Sequence, residues 1–201
     1  MRHSQADYTD VKSPKEGVVT EKGIQTTYEF GSKLPDHINY RISHSPYPRA
    51  KISAEQIHRG LTEQDTPSQI MGAQEYLMFP SRYDAKIMEL FNLYGSDFVT
   101  HWISGRFNKN DVPSSLEQAK NAANHIVNNL MGADSKTVDL YVGHDIIIMP
   151  MMFHWFGAYR KYKWVGYLDG FILQLYPDIM VYLDKEGEHR VPYPYWWGTS
   201  S

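Results

Sequence analysis

The chain has 201 residues, 42% hydrophobic and 21% charged, with a formal net charge of -3. That length supports one sizeable core, and the charge leaves neither an electrostatic footprint for nucleic acid nor a basic run for an anionic membrane surface. Cysteine is absent, which excludes a disulfide framework, a thiolate nucleophile and a cysteine zinc site; with no apolar run of transmembrane or signal-peptide form, a soluble, cytoplasmic protein is expected.

The chain opens with Arg2-His3-Ser4-Gln5, and the polar stretch that follows to residue 19 reads as a loop. Thr20 can cap a helix running to about Gly31, in which Ile24 and Tyr28 fall four apart on one face. Residues 36–43 predict a strand, because Ile38, Tyr40 and Ile42 alternate with polar neighbours. Ser45-Pro46-Tyr47-Pro48 stops it, and Pro48 favours the start of a helix, which places Arg49 in a first turn just after a strand. Such a position lies at the C-terminal edge of a parallel sheet, where open α/β folds bind ligands and where a helix N-terminus favours an anion.

Residues 61–80 lack a firm period. Helices are predicted for 81–94, ended by Gly95, and for 97–107, with Phe98, Trp102 and Phe107 inward. His101 within the second reads as structural. A longer helix follows to residue 131, with a buried stripe of Leu116, Ala119, Ala123, Ile126, Val127 and Leu130. Residues 137–143 predict a strand that delivers His144 and Asp145 to the same edge as Arg49, and a buried helix interrupted by Pro150 comes next. A basic, aromatic loop is expected at 159–163, then a hairpin of 171–176 and 179–183 turning at Pro177-Asp178, then a proline-rich aromatic end and a loose terminus at 198–201.

Arg2-His3, the run Ser43-His44-Ser45-Pro46-Tyr47-Pro48-Arg49-Ala50 and the run Tyr141-Val142-Gly143-His144-Asp145, in this order, resemble the histidine phosphatase (phosphoglycerate mutase-like) superfamily. Thr20-Glu21-Lys22-Gly23 and Leu168-Asp169-Gly170 add to the resemblance. It implies a single domain over 1–201, a three-layer α/β/α sandwich with a mixed, mostly parallel central sheet, and a helical cap-like region at about 62–132. Two features depart from the family: only Met1 stands where the first central strand would run, so that strand is expected to be truncated, and Ser4 stands where glycine commonly follows the Arg-His pair.

The resemblance also implies roles. His3 would be the nucleophile, passing through a phosphohistidine, with Arg2 and Arg49 forking onto phosphate oxygens and His144 completing the pocket as a donor. The general acid would be Asp145, or Glu75, which lies where one branch of the family places a catalytic glutamate. Phosphoryl transfer needs these types: an in-line nucleophile, cations at the equatorial oxygens and a proton for the leaving oxygen. The family's chemistry uses no metal and no organic cofactor. The implied activity is hydrolysis of a small phosphomonoester, with mutase-type phosphotransfer or non-catalytic binding of a phosphorylated ligand as alternatives.

Overall fold

The computed structural model describes residues 1–9, 16–130, 133–158 and 165–197; the loop read at 159–163 and the terminus at 198–201 lie outside them. The fold is of the predicted α/β class, built on a parallel sheet. The chain divides into two compact units, Met1–Met78 with Asn129–His144 and Gly166–Asp169, and Phe79–Asn128 with Asp145–Val165 and Gly170–Ser201.

In the first unit, a two-residue antiparallel ribbon of β1 (Ala6–Asp7) and β2 (Val18–Val19) occupies part of the stretch read as loop. Helix α1 (Glu21–Ser32) follows, and the Thr20 side chain accepts a hydrogen bond from the Gly23 N–H at 3.0 Å, satisfying one orphan donor of the first turn. Strand β3 (Asn39–His44) leads to α2 (Pro48–Thr62), whose first residue is the proline. The sheet is completed by β4 (Ser68–Ala73) and β5 (Thr137–Val142) in the order β4-β3-β5, with His44 in register with Ala73 on one side and Val142 on the other. All three C-terminal ends therefore lie along one edge. Tyr40, Ile42, Ala50, Ala54, Ile57, Leu61 and Val142 form the core between α2 and this sheet.

Met1 to His3 run beside the end of β5 as an isolated parallel bridge, Arg2 with Gly143, rather than as a full strand. The Gly143 N–H donates to the Met1 carbonyl at 2.8 Å and the His3 N–H to the Gly143 carbonyl at 2.9 Å. Those bonds fix the backbone of the Arg-His pair at the sheet edge.

The second unit holds α3 (Asp84–Tyr94), α4 (Asp97–Ile103), α5 (Ser115–Leu130, whose end returns to the first unit), α6 (Asp145–Phe156) and an antiparallel sheet β6-β7-β8 (Ile172–Leu175, Met180–Asp184, Gly187–Val191). Phe98, Trp102 and Trp155 are buried there, and the Trp155 indole N–H donates to the Ala119 carbonyl at 3.1 Å. Among the described residues no helix is long and apolar enough to cross a membrane.

Several expectations need correction. β4 lies within the stretch read as the start of the helical cap; its apolar residues are few, and Gly72, at φ +96°, sits by a register shift. β8 was also unread, its tight entry being Gly187 at φ +127°. α4 stops at Ile103, before Gly105 at φ +69°, so Phe107 lies outside it. α5 buries Ser115, Gln118, Ala119, Ala122 and Ala123, a face turned toward its smaller residues, while Leu116, Ile126, Val127 and Leu130 are half-buried. α6 runs on through Pro150.

The buried face of α1 is likewise Gly23, Thr27 and Gly31 rather than Ile24 and Tyr28. The reason is backbone contact between helices: a Cβ on Gly31 would lie 2.3 Å from the Ile57 carbonyl oxygen of α2, and one on Gly60 would lie 2.4 Å from the Tyr28 carbonyl oxygen of α1. Gly31→Ala gains about 1 kcal/mol of helix propensity, but it meets backbone, and overpacking costs roughly 1–3 kcal/mol or more. A lower urea midpoint at unchanged m-value is expected; an equal or higher midpoint would show that the two helices are free to move apart.

Candidate active site

The site is assembled from three segments that end or begin an element at the sheet's C-terminal edge. Arg49, in the first turn of α2, is only 5% exposed. Its Nε–H donates to His3 Nε2 at 3.0 Å, and its Nη2 to His144 Nδ1 at 3.2 Å. The His3 and His144 rings stand 5.2 Å apart, edge to face. Ser53, one turn further along α2, accepts from the Ser4 N–H at 3.0 Å and donates to the Arg49 carbonyl at 2.7 Å, so α2 grips the segment that carries His3.

These partners dictate the tautomers. His3 Nδ1–H donates to the Ser4 carbonyl at 2.7 Å, which leaves Nε2 with the lone pair that Arg49 contacts. His144 is the mirror case: Nδ1 accepts from Arg49, and Nε2–H donates to the buried Ser45 Oγ at 2.7 Å. Burial, then Arg49, and more weakly Arg2, push His3 down to about 3, against a smaller upward pull from the Ser4 bond. Burial, Arg49, His3 and Arg2 together hold His144 well below the usual histidine range. Both imidazoles are therefore neutral at neutral pH, beside two guanidinium groups.

Three tyrosines that the sequence did not single out border this cluster. The Arg2 guanidinium lies over the Tyr167 ring at 4.4 Å, and that of Arg49 over Tyr47 at 4.8 Å and Tyr8 at 5.6 Å. The Tyr8 hydroxyl is 3.5 Å from His3 Nε2. Tyr47 sits between two prolines at a strand-to-helix turn, a signal that could have been read; Tyr8 and Tyr167 lie in loops without periodicity.

Arg2, His3, Arg49 and His144 are thus brought together, whereas the two carboxylates are placed differently. Asp145 opens α6 half-buried, its Oδ1 accepting from the Ile146 N–H at 2.9 Å. Glu75 begins the 3-10 turn after β4 and is exposed. His101, read as structural, packs edge-on against Tyr94 at 4.8 Å.

No protein-family model matches the sequence, and no curated protein matches it. Solved structures do resemble the fold. A phosphoserine phosphatase variant from Entamoeba histolytica, solved with phosphoserine, is 16% identical at a TM-score of 0.54, covering 96% of this chain and 94% of that one. A mycobacterial glucosyl-3-phosphoglycerate phosphatase is 12% identical at 0.60, covering 100% and 97%. An alpha-ribazole phosphatase from Shigella flexneri is 11% identical at 0.53, covering 96% and 93%. At these identities the likeness is one of fold.

The neutral histidines also set an acid limit. Their pKa values are lower in the folded than in the unfolded chain, so below about 6.5 the unfolded state binds more protons, for His3 down to about 3. The contribution of His3 to stability is complete above pH 6.5 and is lost as pH falls toward 3, and His144 acts in the same direction. Removing one titrating group in His3→Asn should make the dependence of unfolding free energy on pH shallower across this window, by up to about 1.4 kcal/mol per pH unit. Denaturant titrations of both proteins at several pH values measure it, and parallel curves would mean that His3 is charged in the fold.

Proposed function

We propose that this chain, whose fold is that of the histidine phosphatase superfamily, is a phosphomonoester hydrolase working through a phospho-His3 intermediate. One observation carries the reading: the Nε2 lone pair of a buried, neutral His3, its ring fixed through Nδ1 to the Ser4 carbonyl, faces a buried guanidinium that is shared with a second imidazole. A neutral imidazole is a nucleophile and a protonated one is not.

A phosphate dianion entering this cluster draws Arg49 from the imidazoles onto its own oxygens, with Arg2 as the second cation. Its charge offsets the guanidinium groups that, after burial, keep His144 neutral, so His144 takes up a proton from solvent and becomes a donor to the phosphate. His3 Nε2 then attacks phosphorus in line, the bond to the leaving oxygen breaks, and a carboxylic acid supplies that oxygen with a proton. Water, deprotonated by the resulting carboxylate, attacks the phosphohistidine, releasing inorganic phosphate and restoring both groups. The guanidinium groups supply the charge stabilisation of both steps.

Asp145 is favoured as the acid, because it directly follows His144 and is half-buried, while Glu75 is exposed. Inorganic phosphate release from a panel of small monoesters tests the activity. The wild type should turn over, and His3→Ala should lose many orders of magnitude of rate. Arg49→Ala should weaken vanadate binding as well as turnover, since it acts on ground and transition states alike. Vanadate binding without phosphate release from any ester would make the protein a binder rather than a hydrolase.

The acid is assigned by leaving group. General-acid catalysis contributes roughly 10²–10⁴-fold and matters most for a basic alkoxide. Asp145→Asn should therefore slow an alkyl phosphate far more than an activated aryl phosphate, and Glu75→Gln should slow both little. Equal losses for Asp145→Asn on the two esters would remove it from the role, and a selective loss for Glu75→Gln would give the role to Glu75.

A further inference from the structure

We infer that the site selects phosphomonoesters whose leaving group carries an aromatic ring close to the ester oxygen, held at the mouth by Tyr8 and Tyr167; this rests on the phosphate-pocket reading above. His3, His144 and Arg49 are 1%, 3% and 5% exposed, so the phosphoryl end of a substrate is enclosed. Tyr8 and Tyr167 border the same groups and yet are 38% and 41% exposed. The Tyr8 hydroxyl is 3.5 Å from His3 Nε2, and the Tyr167 ring centroid is 5.8 Å from that of His3. A group esterified to a phosphoryl on Nε2 must leave toward solvent, and among the described residues Tyr8 and Tyr167 are partly exposed rings that border His3.

The rings are also fixed. Tyr167 has Arg2 against it at 4.4 Å, and Tyr8 has Arg49 at 5.6 Å. A Cβ on Gly17 would lie 2.5 Å from Tyr8 Cε1, so the Gly17 backbone packs closely against that ring. Tyr167 is carried by a tight turn closed by the Asp169 N–H to the Gly166 carbonyl at 3.2 Å, and the Leu168 N–H reaches the His3 carbonyl at 3.5 Å. Leu168 takes φ +56°, a conformation that is costly for a branched side chain, and a turn held in this way aims its neighbour rather than merely covering the site. Fixed aromatic faces lose little entropy when a ligand ring packs on them, and an aromatic partner adds quadrupole attraction to the area buried. That addition corresponds to roughly 2- to 10-fold in affinity.

Two phosphonates that cannot be hydrolysed separate this from the catalytic reading: 2-phenylethylphosphonate and 2-cyclohexylethylphosphonate, which share charge and reach and differ in aromaticity. Calorimetry on the full chain should show the phenyl compound binding about 2- to 10-fold tighter. The preference should vanish in a Tyr8→Leu, Tyr167→Leu double variant and survive in the Tyr8→Phe, Tyr167→Phe pair. Any change in grip on the phosphonate group cancels in the ratio. Equal or tighter binding of the cyclohexyl compound to the wild type would overturn the inference whether or not the leucine variant folds, as would a preference that persists in it. Wild type that fails to bind inorganic phosphate at all would instead sink the pocket reading itself.

Discussion

The arrangement depends on one buried guanidinium. Arg49 is removed from water at the start of α2, and a buried charge is tolerated only where its donors are used. Here its Nε and Nη2 hydrogens are taken by two imidazole nitrogens, His3 Nε2 and His144 Nδ1. That arrangement requires both nitrogens to be unprotonated, and the opposite ring nitrogens accordingly donate, to the Ser4 carbonyl and to Ser45 Oγ. A single cation therefore sets two tautomers and, after burial itself, helps to keep both rings neutral. It is also the group that an incoming phosphate would draw away, which links anion binding to the protonation of His144.

The position of Arg49 is in turn a matter of helix placement. α2 lies against α1 through glycine contacts at Gly31 and Gly60, with backbone meeting backbone, and against the sheet through Ala50, Ala54, Ile57 and Leu61. Its entry is set by Pro48 and by the Ser45 to Tyr47 turn at the end of β3. Ser53 then ties the helix back to Ser4. Ser4, the neighbour of His3, and the guanidinium are thus held by one element, and a shift of α2 would part Arg49 from both imidazoles together.

Much of this was legible because it rests on local chemistry. Pro48 after a β-branched and aromatic strand, and Gly143-His144 at the end of another, announce where strands stop, and Arg49 and His144 sit at those stops. What could not be read came from contacts distant in sequence. β4 exposes every second residue, Met71 among them, and bends at Gly72, so its composition does not advertise a strand. The buried face of α1 is made of glycine and threonine because another backbone lies against it, a fact that no hydrophobic period encodes. Tyr8 and Tyr167 lie outside any helix or strand, Tyr167 on a turn beside the left-handed Leu168, and only the folded chain brings them to the same imidazole.

The central claim is that the Nε2 lone pair of His3 forms the bond to phosphorus. Mixing enzyme with an activated monoester, quenching in base within the first turnovers and recording ³¹P spectra of the denatured chain, followed by peptide mapping, tests it most directly, because phosphohistidine survives base. The account predicts a base-stable, acid-labile phosphoryl group on His3, attached at Nε2 since Nδ1–H is held by the Ser4 carbonyl. A phosphoryl group at Nδ1 or on another residue, or phosphate released with no phosphoenzyme at any quench time, would contradict it.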